Sequence, residues 1–356
     1  MRVLVTHERF LPDYCGGCEY GVYHLARGLR DRGVGVSVLT TGDPSNTEYD
    51  RLAIRRLPIH RYRMNLAKKA VLEAAQEADV IQTTNYHASL ASMMAGRQLR
   101  KPVFLLVTAL CGDAWLDMRG PVLGRAYAWW EKYLMRQPFA RLIFPSEHSQ
   151  HSGIRMGIPA DRCVVIPPGF ERQRFKPAVE KDKVVLFVGT FDRRKGVYDV
   201  LEVARRLPDI NFRLLGSGPE LASARRTAPP NAAIQVLEPG AVMDAQRSSV
   251  LTDAFGRAAI FCLPSRAESF GLVIVEAMAS GCAVVSSVPL EFEGAHVAPG
   301  DIPGMVAAVR RLADDPDERS RMGERNIALA DRYDWDRFTA CLIGTYEHVL
   351  GEMNRC

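Results

Sequence analysis

Two glutamates with seven residues between them, Glu268 and Glu276, stand in the stretch Ser265-Arg266-Ala267-Glu268-Ser269-Phe270-Gly271-Leu272-Val273-Ile274-Val275-Glu276-Ala277-Met278. Glu276 falls within an apolar helical run, where a carboxylate is costly to desolvate unless something hydrogen-bonds it. A sugar diol suits that task, because two adjacent hydroxyls can donate to both carboxylate oxygens. A structural arginine or backbone amides would serve equally well. Glu268 lies at a strand-to-helix turn, with Ser269 placed to cap the helix. Free N–H groups and the positive dipole end of such a helix start suit a diphosphate. A second turn of the same kind, Val188-Gly189-Thr190-Phe191-Asp192-Arg193-Arg194-Lys195-Gly196, offers Lys195 to neutralise a departing phosphate, with Arg193 or Arg194 as helpers. The competing reading is a solvated basic loop. Gly216-Ser217-Gly218-Pro219 and the pair Gly16-Gly17 are places where bare backbone can meet a ligand.

Other groupings carry less chemistry. Cys15 and Cys18 form a CxxC pair, but no second pair accompanies it, so neither zinc nor redox work is expected. Asp315-Pro316-Asp317 reads better as a helix start than as a metal site: Asp315 as cap, Pro316 at the first position and Glu318 three residues on. No essential metal or cofactor is expected.

Positioning such groups requires strands that end at the turns. Apolar β-rich runs alternate with helical patterns along the whole chain, and the series restarts at Val184 after the stiff connector Ile166-Pro167-Pro168-Gly169. That alternation predicts an α/β protein of two Rossmann-like domains, residues 1–168 and 169–335, facing a cleft. An amphipathic helix over 336–356 would pack back on the first domain. The length of 356 residues agrees with two cores rather than one. With 47% hydrophobic and 24% charged residues, disorder and fibrous repeats are excluded. No apolar run approaches the roughly 20 residues of a membrane-spanning helix, and the start lacks a signal-peptide core, so a cytoplasmic protein is expected.

The net charge of +5 is uneven: residues 1–168 carry 22 Lys and Arg against 15 Asp and Glu, the remainder 24 against 26. Residues 51–69 hold seven cations and no acid. That run is either a solvated face or the footprint of an anionic membrane or phosphorylated ligand. Nucleic acid is not an expected partner. Tyr127-Ala128-Trp129-Trp130 raises the same membrane question, although a buried aromatic face is the preferred reading for Trp129 and Trp130.

Taken in order, these motifs resemble the retaining GT-B glycosyltransferases of family 4, a likeness that covers nearly the whole chain. Gly16-Gly17 resembles the family's amino-terminal glycine loop, and Pro145-Ser146 with Ile166–Gly169 its approach to the hinge. Gly189–Gly196 is similar to its Gly-Arg-x4-Lys-Gly turn, and Glu268 with Glu276 to its E-x7-E motif. The resemblance implies an amino-terminal acceptor domain, a carboxy-terminal nucleotide-sugar domain, and metal-independent hexosyl transfer with retention in glycan, glycolipid or secondary-metabolite assembly. Glu268 would hold the sugar hydroxyls, Glu276 the ribose and Lys195 the diphosphate. Amides at Gly16, Gly17, Ser269, Phe270, Gly271 and Leu272, and the turns at Gly189, Thr190, Arg194 and Gly216, would complete the donor cradle.

Three positions depart from that pattern. Thr190 stands where the family has arginine. Leu110 stands where it has the histidine that contacts the sugar's primary hydroxyl, leaving His87 or Asp113 as weak substitutes for that contact. The stretch 289–294 is shorter than the usual loop. Thr190 and Leu110 motivate an alternative, a GT-B protein that binds nucleotide sugar or glycan without turnover. A sugar-nucleotide epimerase ranks lower, because no acid and base residues for the sugar ring are identified.

Overall fold

A computed structural model describes residues 1–14, 16–237, 245–353 and 355. The chain divides into two compact units, residues 1–169 with 335–356, and residues 170–334.

In the first unit the strands are β1 (Arg2–Thr6), β2 (Gly35–Thr41), β3 (Glu48–Tyr49), β4 (Leu52–Leu57), β5 (Val80–Thr84), β6 (Val103–Leu106), β7 (Arg141–Phe144) and β8 (Cys163–Val165). They form one sheet in the order β3-β4-β2-β1-β5-β6-β7-β8. All pairings are parallel except β3 with β4. In the second unit β9 (Asp182–Val188), β10 (Asn211–Gly216), β11 (Ala232–Val236), β12 (Ala258–Leu263), β13 (Ala283–Ser286) and β14 (Gly294–His296) form an all-parallel sheet in the order β11-β10-β9-β12-β13-β14.

Both sheets share one logic. The first strand lies inside the sheet, the next strands run outward on one side, and the chain then returns to the other side. Strand order therefore reverses between β1 and β5 and between β9 and β12. At such reversals the loops beyond the carboxyl ends diverge and leave a crevice for a ligand. The strands read as continuous apolar runs because helices cover both faces. Val185, Leu186 and Phe187, and all of β12, are buried.

Local chemistry fixes the helix starts. Asp315 accepts a hydrogen bond from the Glu318 amide at 2.8 Å and Pro316 opens the helix Pro316–Ala330. The closing helix, Trp335–Met353, belongs to the first unit. It buries Phe338, Leu342, Tyr346 and Val349, and the Tyr346 hydroxyl donates to Gln82 Oε1 at 2.6 Å. Thr339 approaches Gly28 so closely that a β-carbon there would lie 2.3 Å from its hydroxyl.

Two expectations about the surface change. Trp129 is 66% exposed. Its helix, Ala114–Met135, turns Gly124, Glu131, Leu134 and Met135 inward, and the 3.6-residue period then carries Trp129 to the opposite side. The basic run of 51–69 is not one solvated face either. Strand alternation in β4 turns Arg56 inward, where it pairs with Asp13 at 3.0 Å and donates to the carbonyls of Asn46 and Leu11. Among the described residues, no helix is long and apolar enough to cross a membrane.

Candidate active site

The reversal between β9 and β12 brings two of the sequence-predicted turns together. After β9 the chain passes Gly189 and the exposed Thr190, and Asp192 caps the short 3-10 turn Arg193–Lys195 by accepting from the Lys195 amide at 2.8 Å. Gly196 closes the turn at φ +73°, with Pro264 packed so close that a β-carbon would lie 2.4 Å from its carbonyl oxygen. After β12, residues 264–271 form an irregular loop. The loops are stitched by Arg266 N–H to the Arg194 carbonyl at 2.7 Å and by Arg194 Nη1 to the Ala267 carbonyl at 3.0 Å. Within this brace Lys195 and Glu268 form a direct ion pair. Both side chains are mostly buried, 14% and 16% exposed, so little solvent screens the pair.

The two arginines beside Lys195 have different surroundings. Arg194 braces the loop through the Ala267 carbonyl, whereas the Arg193 side chain is 81% exposed and lies 3.6 Å from Glu220. Gly216, at φ +154°, lets the ends of β9 and β10 close up. A β-carbon there would lie 1.9 Å from the Gly189 carbonyl oxygen, so the backbone it admits is the protein's own.

Ser269 does not cap the following helix. The helix Leu272–Ala279 starts three residues later, with Gly271 at φ +93° as its amino-terminal cap, because this left-handed turn delivers the chain into the helix from a loop. The Phe270 side chain is buried against Tyr333, with ring centroids 5.2 Å apart. Glu276 lies in this helix and is 8% exposed. Burial pushes its carboxyl up to about 7, against the opposing pull of Arg174 and with a further upward push from Glu171. Among the described residues, no hydrogen bond from an amide or an arginine reaches that carboxylate, and Arg174 acts on it through its charge.

Gly16 and Gly17 lie in the first unit. Gly16 caps the helix Gly17–Asp31, and its amide donates to Glu19 Oε2 at 3.0 Å. Among the described residues, nothing beyond its chain neighbours and its own helix backbone lies within 4 Å of where a Gly17 β-carbon would sit. Cys15 lies outside the described residues; Cys18 is exposed. Leu110 packs against the core of this unit. Among the described residues, no group of three or more His, Cys, Asp or Glu side chains is arranged to hold a metal ion.

Sequence reasoning missed a buried carboxylate here. Glu131, 1% exposed, accepts from the amides of Cys111 at 3.0 Å and Gly112 at 2.7 Å, from Trp115 Nε1 at 3.3 Å and from the Tyr86 hydroxyl. With Asn85, which binds Thr108 and the Ala109 carbonyl, it shapes the loop after β6. The signal that singled out Glu276, an acid on the inward side of an apolar helix, applies to Glu131 as well.

Two parallel Rossmann-like sheets, with a lysine–glutamate pair at the reversal of the second, define a GT-B glycosyltransferase architecture. Family comparisons agree: residues 16–169 match the "Glycosyl transferase 4-like domain" and residues 169–328 match "Glycosyl transferases group 1". The chain belongs to the group 1 glycosyltransferases. It is 29% identical to the phosphatidyl-myo-inositol mannosyltransferase of Mycobacterium tuberculosis, over 95% of both chains. Its fold is similar to that of sucrose-phosphate synthase from Thermosynechococcus elongatus, with TM-score 0.80, 20% identity and 99% of each chain covered. Anabaena Alr3699/HepE, solved with UDP and glucose, has TM-score 0.77 and 19% identity, with 98% of this chain and 99% of that one covered.

Proposed function

We propose that this glycosyltransferase moves a hexosyl unit from a nucleotide sugar to an acceptor hydroxyl with retention of configuration and without an essential metal. The observation that carries the reading is the Lys195–Glu268 pair at the sheet reversal, on the same loop-and-helix segment as the buried carboxylate of Glu276. Glu268 holds the sugar hydroxyls, Glu276 the ribose diol and Lys195 the diphosphate. Donor phosphate and sugar would then replace each residue of the ion pair as the other's partner. The bond from the anomeric carbon to the phosphate oxygen breaks, the acceptor oxygen bonds to that carbon on the same face, and the acceptor proton passes to the departing phosphate. Fixed cations and helix amides meet the developing charge without reorganisation.

The UDP in the HepE structure and the mannosyl transfer named for the mycobacterial relative support a nucleotide-sugar donor and a polyol or lipid-linked acceptor. A thermal-shift panel of UDP, GDP, ADP, TDP and their sugars tests this directly. Ligand at a hundred times its dissociation constant adds about 2.7 kcal/mol to stability. One nucleotide should stabilise the protein selectively, and no shift with any of them would defeat the reading. Thr190, exposed where the family has arginine, favours the second reading of a protein that binds donor without turnover. Nucleotide release in the presence of acceptors separates the two.

Peripheral contact with an anionic membrane is part of the proposal. Past the break at Gly120, one face of the helix Ala114–Met135 exposes Val122, Arg125, Trp129, Lys132 and Tyr133, with Arg136 just beyond it. Aromatic bodies between cations are the chemistry of the interface with acidic headgroups. Phosphatidylglycerol vesicles should sediment the protein at low salt. Each cation removed, at Arg125 or Lys132, should weaken binding about fivefold, since each contributes roughly 1 kcal/mol near the surface. Equal sedimentation of the double variant Arg125→Ser, Lys132→Ser would exclude this face.

A further inference from the structure

The loops that meet between β9 and β12 are also held by a pair to which none of the donor roles above falls, Arg266 and Asp199. Arg266 stands two residues before Glu268, and Asp199 lies in the first turn of the helix Val197–Arg206, just past Lys195. The two carbonyls that precede Lys195 both accept from Arg266. Its backbone amide donates to the Arg194 carbonyl at 2.7 Å, and its Nη1 donates to the Arg193 carbonyl at 3.2 Å. The other arm of the guanidinium, Nη2, donates to Asp199 Oδ1 at 3.1 Å.

Asp199 is 8% exposed. Its Oδ2 is buried without a hydrogen-bond partner, yet Arg266 Nη1 lies 2.9 Å from it. Charge ties those two atoms, while the hydrogen bond from Nη1 goes to the Arg193 carbonyl. The neighbouring acids are engaged elsewhere: Asp192 lies 3.6 Å from Arg194, Glu220 lies 3.6 Å from Arg193, and Glu268 pairs with Lys195. A partly exposed ion pair such as Asp199–Arg266 contributes little to stability. What it supplies is geometry. A guanidinium is a rigid planar fork, so anchoring one arm on the helix fixes the other against the carbonyl.

We infer that Arg266, anchored by Asp199, is a positioning residue that fixes where the Lys195 ammonium meets the donor's diphosphate. The inference rests on the transferase reading and deepens it. Lysine carries a point charge on a flexible stem, so its place depends on the backbone that bears it. In the empty protein the ion pair with Glu268 also holds that charge. Once Glu268 turns to the sugar hydroxyls, the pair no longer does so, and the turn beneath Lys195 must. Arg266 grips that turn from the loop that carries Glu268, and thereby keeps the spacing of the two residues after their own ion pair opens.

The test is calorimetric titration of the full chain with UDP, GDP, ADP and TDP, with the corresponding phosphate-free nucleosides as competing ligands. Arg266→Lys keeps a cation beside Asp199 but has no fork to span both acceptors, and Asp199→Asn keeps the shape without the charge. Each should weaken the best-bound nucleoside diphosphate about fivefold, within the usual coupling between residues of one network, and leave nucleoside affinity unchanged. A merely structural role would weaken both ligands together. In a Lys195→Met background Arg266→Lys should add no further loss, because its effect passes through Lys195. Wild-type diphosphate affinity in both variants, equal losses for diphosphate and nucleoside, or the same loss reappearing beside Lys195→Met would each overturn the inference. Thermal unfolding identifies a variant that does not fold, and the other then carries the test. Failure of the wild-type chain to bind any nucleotide in the same titration would instead remove the transferase reading on which the inference rests.

Discussion

Replacing Lys195 by methionine is expected to lower kcat by about two to three orders of magnitude, the usual cost of deleting one preorganised group that meets charge developing in the transition state. Glu268→Gln should lose a comparable factor through the sugar hydroxyls. Stability separates this from a folding defect. Each single change strands the other half of a largely buried ion pair, and an uncompensated charge there destabilises the protein by about 1–3 kcal/mol. The double variant Lys195→Met, Glu268→Gln leaves neither charge behind, so thermal stability should return toward wild type while activity stays low. Transfer at wild-type rates in either single variant would remove both residues from the reaction.

Glu276→Gln should make the empty protein more stable and the nucleotide complex weaker. In the native chain burial lifts this carboxyl from an ordinary glutamate's 4.5 to about 7. Below pH 4.5 folded and unfolded chains both hold the proton, and the group contributes no difference. Between 4.5 and 7 the unfolded chain has lost it while the native one still holds it. Native stability therefore falls as pH rises through that window, by about 1.4 kcal/mol per pH unit. Above 7 the loss is complete, at about 3 kcal/mol. Glutamine has no such titration, so the variant should gain most above pH 7, and the difference should vanish near pH 4.

Nucleotide affinity runs the other way. A ribose diol donates best to the ionised carboxylate, so wild-type binding should strengthen with pH up to about 7 and then level off. The glutamine variant should bind about tenfold or more weakly at pH 8, the cost of losing hydrogen bonds to a charged group, and should show little of this pH dependence. Denaturant unfolding and calorimetric titration of both proteins at pH 5, 7 and 8.5 read the two effects. A variant with unchanged nucleotide affinity would place the ribose elsewhere. Opposite signs for stability and binding are what a group kept for function at the expense of the fold should show.

How much was legible beforehand differs from group to group, for physical reasons. Glu276 could be found because a carboxylate among valine, alanine and methionine violates the apolar pattern of its helix. Glu131 violates its pattern in the same way, yet reading Trp129 and Trp130 as the buried face of that helix left no inward place for it, whereas Trp129 is exposed and Glu131 buried. The capping role given to Ser269 failed because Gly271 can adopt φ +93° and so moves the helix start three residues on. Arg56, counted among surface cations, faces inward through the two-residue alternation of β4, which the sequence already contained.

Local periodicity determined that this chain is an α/β protein with two parallel sheets and loops carrying glutamate, lysine and glycine after the strands. Those features depend on neighbours a few residues away, and a sequence displays them directly. Which loops meet is a matter of strand order. Lys195 and Glu268 are 73 positions apart and become an ion pair only because β12 takes its place beside β9. His7 and Thr84, 77 positions apart, touch because β5 lies against β1. Orphaned buried atoms and the lifted pKa of Glu276 likewise exist only once burial has removed water. Desolvation and long-range pairing are properties of the packed sheets, and only the tertiary structure decided them.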